Sequence, residues 1–190
     1  MIIGIKEEDK VVLAYASFDA FYPVICDDMK NAENVGIWKV KGNRHTVMGC
    51  MTPSAESDAL RYEEKLLKGE ITYGRLIDDV LPAIEEFVKD KEYIGDDKDR
   101  YEEFLIAQKG SLFHITSEHV IVEIDSFIAL SCVGEDLAMG VLYATEGQPT
   151  EDRLRKAFEF VARERQCECY PVSIIDTATG KLRTLGKPRN

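Results

Sequence analysis

Apolar residues occur in short runs separated by polar turns through the first fifty positions. Met1 to Lys6 and Lys10 to Ser17 are two such runs around Glu7-Glu8-Asp9, and together they predict a β-hairpin. Further strands are expected at Tyr22 to Cys26, Val35 to Val40 and Thr46 to Cys50. Thr52-Pro53 has the form of a helix start, with Thr52 as N-cap and Pro53 at the first helical position. Ala55, Ala59, Tyr62 and Leu66 continue one helical face to about Lys68. A second helical stretch runs from about Thr72 to Lys89, with Pro82 placed to kink or divide it. Lys89 to Arg100 is a charged loop with Gly95-Asp96-Asp97 at its tip.

Four short strands follow, at Glu103 to Gln108, Leu112 to Thr116, His119 to Ile124 and Phe127 to Ser131. Gly134 to Ala144 reads as helix. Gln148-Pro149-Thr150 opens the most regular helix of the chain, in which Leu154, Ala157, Phe158, Val161 and Ala162 form a buried stripe. Tyr170 to Asp176 and Lys181 to Leu185 make a last strand pair across Thr177-Ala178-Thr179-Gly180. Strands, two helices, strands, two helices, strands is an α+β order. It fits a four-layer αββα sandwich with two antiparallel sheets better than alternating β-α-β units. No glycine fingerprint joins a strand to a helix, which disfavours a dinucleotide-binding fold. Residues 1–190 are expected to form a single domain.

Composition narrows the class of function. With 45% apolar and 31% charged residues the chain is an ordinary globular one. A formal charge of −11 argues against a nucleic-acid groove or an anionic membrane as partner. No apolar run approaches the ~18 residues of a membrane span, and MIIGIKEEDK lacks the form of a signal peptide. Five cysteines (Cys26, Cys50, Cys132, Cys167 and Cys169) make an odd set without a disulfide rhythm, so reduced thiols and a cytoplasmic location are expected.

Several segments then resemble a known family. IIGIKEEDKVVLAYAS is similar to the first hairpin of proteasome β subunits and of the bacterial HslV protease. FIALSCVGEDLAMGVLYA resembles the family's strand, Gly-Ser-Gly turn and following helix. TEDRLRKAFEFVARER and PVSIIDTATGKL occupy the right places after it, and VLPAIEEFVKDK with YEEFLIAQKGSLFHIT is similar to the central region of HslV. The order and spacing of these segments carry the resemblance over nearly the whole chain. It implies an N-terminal-nucleophile (Ntn) hydrolase sandwich. In such enzymes an N-terminal Thr attacks with its own α-amine as base, supported by an Asp, a Lys and the Ser of the Gly-Ser-Gly turn.

Matched position by position, this sequence departs at each of these places. Aligning GIK puts Met1 at the residue after the nucleophile, and shifting by one puts Met1 at the nucleophile itself; the large Ile2 should block removal of Met1. Ala16 stands for the Asp, Gly36 for the Lys and Val133 for the Ser. Lys39 does not replace the lost lysine, because three residues along a strand is the opposite face. Ser17 with Asp19, or a thiol such as Cys132, Cys26 or Cys50, is the alternative nucleophile. The plainer reading is a polar strand end and small buried hydrophobes. His45, His114 and His119 show no pairing with a cysteine, although His114 and His119 flank one turn. Cys167-Glu168-Cys169 lacks the second pair of a zinc site and is given a structural role. Asp96-Asp97-Lys98-Asp99 lacks calcium-loop spacing. No metal and no cofactor is expected.

Three functions remain in view. The first is a non-catalytic, proteasome-like assembly or binding module, for which the resemblance implies a homo-oligomer and a protein partner is allowed. The second is an active peptidase or amidase with a relocated nucleophile, Ser17 or Cys132. The third is a small-molecule binder in the former cleft, lined by Ala16, Gly36 and Val133. Helix 150–165 carries Arg153, Lys156, Glu159 and Arg163 on its other face. Leu76, Ile77, Leu81, Phe87 and Val88 spread around helix 72–89, so self-association is expected there.

Overall fold

In the computed structural model, residues 1–16, 36–40, 43, 45–50, 66–90, 103–131 and 134–187 are described. The strand expected at Tyr22 to Cys26, most of the helix from Thr52, and the loop ahead of Arg100 lie outside them.

The opening hairpin is β1 (Ile2–Lys6) and β2 (Val11–Tyr15), paired from Ile2 with Tyr15 to Lys6 with Val11. Its turn is closed by the Glu7 N–H donating to Lys10 O at 2.8 Å. β3 (Gly36–Lys39), β4 (Thr46–Cys50), β5 (Phe104–Gln108), β6 (Ser111–Ile115) and β7 (Ile121–Glu123) make one antiparallel sheet in that order. The other is ordered β10-β9-β2-β1-β8, with β8 at Phe127–Leu130, β9 at Val172–Asp176 and β10 at Arg183–Leu185. Every pairing in both sheets is antiparallel.

Alternation along the strands sorts side chains into three layers. Ile2, Val11, Leu13 and Ile175 meet Val47, Leu105, Ala107 and Leu112 between the sheets. Ile3, Ile5, Val12, Ala14, Val172 and Ile174 face outward onto α2 (Glu135–Ala144) and α3 (Thr150–Glu164), where they meet Leu142, Leu154, Phe158 and Val161. Met48, Phe104, Ile106 and Phe113, from the sheet of β3 to β7, face α1 (Tyr73–Asp90). The result is the four-layer αββα sandwich expected from the element order. Full burial of a side chain such as Phe158 stabilises it by about 1.5–3 kcal/mol, so these layers dominate the stability.

α1 runs from Tyr73 to Asp90 in three parts: an α-turn Tyr73–Arg75, a π-type turn Leu76–Val80, and an α-helix Leu81–Asp90. Thr72 caps it, its hydroxyl accepting the Arg75 N–H at 3.2 Å. Pro82 has no N–H to give and its ring crowds the preceding turn. The Leu81 N–H reaches back five residues to Leu76 O just before it, and the helix widens there instead of stopping. Two faces were assigned differently by pattern alone. Leu76 and Leu81 are buried beneath the helix, and Phe87 packs partly on the same core, which leaves Ile77 and Tyr73 outside. Arg153, placed on the charged face of α3, is buried. Its Nη2 donates to Leu142 O at 2.9 Å, and its guanidinium lies 4.9 Å from the Phe127 ring centroid.

Candidate functional site

Two of the site positions implied by the resemblance, Met1 and Ala16, lie together at the end of the sandwich where β1 begins. Met1 and Ala16 extend the hairpin by one pair beyond Ile2 and Tyr15. The α-nitrogen of Met1 donates to Ala16 O at 2.9 Å, and the Ala16 N–H donates to Met1 O at 3.1 Å. This double exchange is the closely bonded pair of an antiparallel ladder. Both side chains are fully buried, on the face that packs against α2 and α3.

Gly36 sits on a different face. Its backbone has φ +105°, and a Cβ built there would lie 3.1 Å from Cδ1 of the Tyr15 ring. Tyr15 belongs to the layer between the sheets, whereas Met1 and Ala16 belong to the layer under the α2–α3 pair. A lysine at Gly36 would need both a backbone state that side chains disfavour and room now filled by an aromatic ring. The described positions therefore do not converge on one point. Sequence reasoning missed Tyr15, although its period-2 relation to Leu13 placed it between the sheets.

Gly134, which follows Cys132-Val133 in the sequence, has φ +95° at the start of α2. A Cβ there would meet Cγ1 of Val161 at 2.7 Å, so glycine at this position allows close packing of α2 on α3. Val133, Cys132, Ser17, Asp19, Cys26 and the run Asp96 to Asp99 lie outside the described residues. Cys50 is buried in the core beneath α1. Lys39 is exposed.

The histidines are engaged separately. His114 Nε2 lies 3.2 Å from Glu103 Oε2, His119 Nδ1 lies 3.3 Å from Glu85 Oε1, and His45 Nδ1 lies 3.2 Å from Thr177 O. His114 and His119 thus bind different carboxylates rather than each other. Among the described residues no group of three His, Cys, Asp or Glu side chains is placed to hold a metal ion.

Between the end of α3 and the start of β9 lies a cavity of about 410 Å³, lined by Glu159, Cys167, Glu168, Cys169, Tyr170 and Lys187. Cys169, with Met1 and Ala16, belongs to the core under α3, and Cys167 and Tyr170 pack against it. The Tyr170 hydroxyl donates to Glu159 Oε1 at 2.5 Å and accepts from Arg155 Nη1 at 3.2 Å. Burial and the Glu159 hydrogen bond push its pKa up to about 12. Burial raises the Cys167 thiol, with the positive charge at the Met1 α-nitrogen pulling the other way. Burial, followed by the charge of Glu159, raises Cys169 to about 11.

No protein-family model and no curated protein matches the chain by sequence. Solved structures do match by shape. The BPH protein of Thiobacillus denitrificans in complex with epoxomicin superposes with a TM-score of 0.69 at 17% identity, over 92% of this chain and 96% of that one. HslV of Trypanosoma brucei gives 0.58 at 14% identity, over 92% and 97%. Anbu, an ancestral beta-subunit from Yersinia bercovieri, gives 0.62 at 13% identity, over 99% and 88%. With two five-stranded antiparallel sheets between helices, the chain has the proteasome β-subunit and HslV-like Ntn fold.

Proposed function

We propose that the protein is a non-catalytic member of this architecture that works as an oligomeric assembly or binding module. The observation that supports the reading best is the closed Met1–Ala16 pair. A residue-1 nucleophile must present a hydroxyl or thiol to a substrate and a free lone pair on its amine. Here residue 1 is a buried methionine whose α-nitrogen donates to Ala16 O. Gly36 carries no cation, and the Tyr15 ring packs against it. Ala16 and Met1 are packed in a core and Gly36 is covered by a ring, which weighs against a ligand held by those residues. The shape match to HslV and to an ancestral beta-subunit supports self-association as the retained task. No helix of the described residues is long and apolar enough to cross a membrane.

The test is covalent capture. The Thiobacillus protein is known in complex with epoxomicin; this chain should give no adduct with that epoxyketone, none with a peptidyl vinyl sulfone, and no turnover of fluorogenic peptides. Intact-mass analysis reads the result. A single stoichiometric adduct mapped to Ser17 or Cys132, with turnover lost on mutating that residue, would establish the relocated-nucleophile peptidase instead.

A further inference from the structure

β7 ends its sheet: β6 pairs with it on one side, and no described strand pairs with it on the other. The ladder shows which of its backbone groups are left over. Leu112 O accepts the Ile124 N–H at 2.8 Å, and Val120 O accepts the Thr116 N–H at 2.9 Å. Bonded and unbonded pairs alternate along an antiparallel ladder, so Val120, Val122 and Ile124 turn toward β6 while Ile121 and Glu123 turn away. The N–H and C=O groups of Ile121 and Glu123 therefore line the outer edge, without a hydrogen-bond partner among the described residues.

Side chains give this edge two unlike faces. Val120 and Val122 are 52% and 41% exposed on one. On the other, Ile121 is buried beneath α1 and Glu123 is exposed. Edge strands are commonly protected by lysine, proline or a covering loop, and here two valines are left bare. Glu118 and Asp125 are exposed at the two ends of the strand, and Glu85 of α1 lies 3.3 Å from His119 in the turn before it. No lysine or arginine occurs from Gly110 to Asp152 to offset these carboxylates. A second β7 laid on this edge would bring acid against acid, and like charges opposite one another destabilise a strand pair. A cationic strand meets the reverse situation.

We propose that β7 is a docking edge for an extended cationic segment of a partner protein, which joins the sheet as a further strand. The backbone groups of Ile121 and Glu123 supply the hydrogen bonds. Alternation supplies the selectivity: apolar residues of the segment lie beside Val120 and Val122, and the intervening lysines or arginines face Glu123. The site is independent of whether the hairpin end carries any catalysis.

The experiment uses the full-length protein and a synthetic heptapeptide of alternating lysine and valine, blocked at both ends. Two controls accompany it: glutamate in place of lysine, and the same residues with all lysines in one block. Fluorescence anisotropy should show the alternating cationic peptide binding at least about 10-fold tighter than either control, and more weakly as salt is added. At saturation, amide exchange read by NMR should slow by about 10-fold or more at Ile121 and Glu123. Val122, already bonded to β6, should be unchanged. Glu123→Lys should reverse the order of the cationic and anionic peptides. Glu123→Pro removes one outward N–H and spares the ladder to β6, since proline is tolerated on an edge strand, and should weaken binding by at least about 5-fold. Should Glu123→Pro fail to fold, the Glu123→Lys reversal and the exchange map still decide. Unchanged exchange at Ile121 and Glu123 would overturn the proposal. So would equal binding of the blocked-lysine control, which would mean attraction by charge alone. Loss of the protein's own association in Glu123→Lys would make a second copy the occupant, and would overturn it too.

Discussion

Returning a side chain to Gly36 tests the closure of the site most directly. Gly36→Ala adds only the Cβ, and Gly36→Lys adds the cation that the family resemblance would place there. The backbone at φ +105° lies in a region costing a non-glycine residue on the order of 1–3 kcal/mol. The new Cβ would also stand 3.1 and 3.3 Å from two Tyr15 ring carbons, so the ring must give by a few tenths of an ångström. Overpacking of that kind costs typically about 1–3 kcal/mol, for a total of roughly 2–6 kcal/mol. At roughly 2–4 °C per kcal/mol for a chain of this size, Tm should fall by about 4–24 °C. Thermal melts of both variants are the assay, and they should agree closely because the Cβ carries the effect. Tyr15→Ala in the same chain should recover at least ~1 kcal/mol of coupling, since only the ring contact is relieved. A Gly36→Ala variant within about 2 °C of wild type, or additivity with Tyr15→Ala, would refute the reasoning. Neither variant should gain peptidase activity.

Other expectations follow from packing and protonation. Gly134→Ala places a Cβ 2.7 Å from Val161 Cγ1 at φ +95° and should cost about 2–4 kcal/mol by denaturant titration, partly recovered by Val161→Ala. Thr177 is buried, donates its hydroxyl to Lys109 O at 2.5 Å and accepts the Val11 N–H at 2.9 Å. Thr177→Val strands both backbone groups and should cost about 2–5 kcal/mol, whereas Thr177→Ser should restore most of it. Cys169 and Tyr170 both hold their protons to higher pH when folded, to about 11 and about 12. The unfolded chain releases those protons first, so stability is full below their ordinary values and declines as pH rises toward 12. Melts from pH 8 to 11 should show this decline, and Tyr170→Phe should flatten its upper part.

The sequence was most informative where burial imposes a simple period. The hairpin could be read from Glu7-Glu8-Asp9 between two apolar runs, and α3 from its Leu154, Phe158 and Val161 stripe. Pro82 announced a disturbance in α1, but not that a widened turn would carry the helix through it. That turn decides which of Leu76 and Ile77 reaches the core, so the exposed face could not be assigned from a regular 3.6-residue period. Arg153 was misplaced for a related reason: a long side chain can enter a core when a carbonyl and a ring receive its head. The candidate site was least legible. Its closure depends on the backbone sign at Gly36 and on Tyr15 arriving from another strand, which are properties of tertiary contact. The Cys167 and Cys169 pair was visible, but its cavity was not, because Glu159 reaches it from α3 and Lys187 from beyond β10.

Self-association can be assigned to a face by the sign of its salt dependence. With Leu76 and Leu81 in the core, α1 offers Tyr73 and Ile77, which are 47% and 43% exposed. Asp78 and Asp79 are exposed beside them. Two copies meeting there bring acid against acid, each with a formal charge of −11. The repulsion is screened over about 10 Å at 0.1 M salt, so association through α1 should strengthen as salt is added. The α3 face presents Lys156 and Arg163, which would have to meet carboxylates of a second copy, and salt would weaken that contact. Light scattering at high micromolar concentration should show a species larger than 21.5 kDa that grows with salt. Ile77→Asp should return it to monomer without lowering Tm, because Ile77 supports no core of its own chain. Association that weakens with salt and survives Ile77→Asp would move the interface to α3. A monomer at every salt concentration would defeat the oligomeric reading and leave a single-chain binding domain.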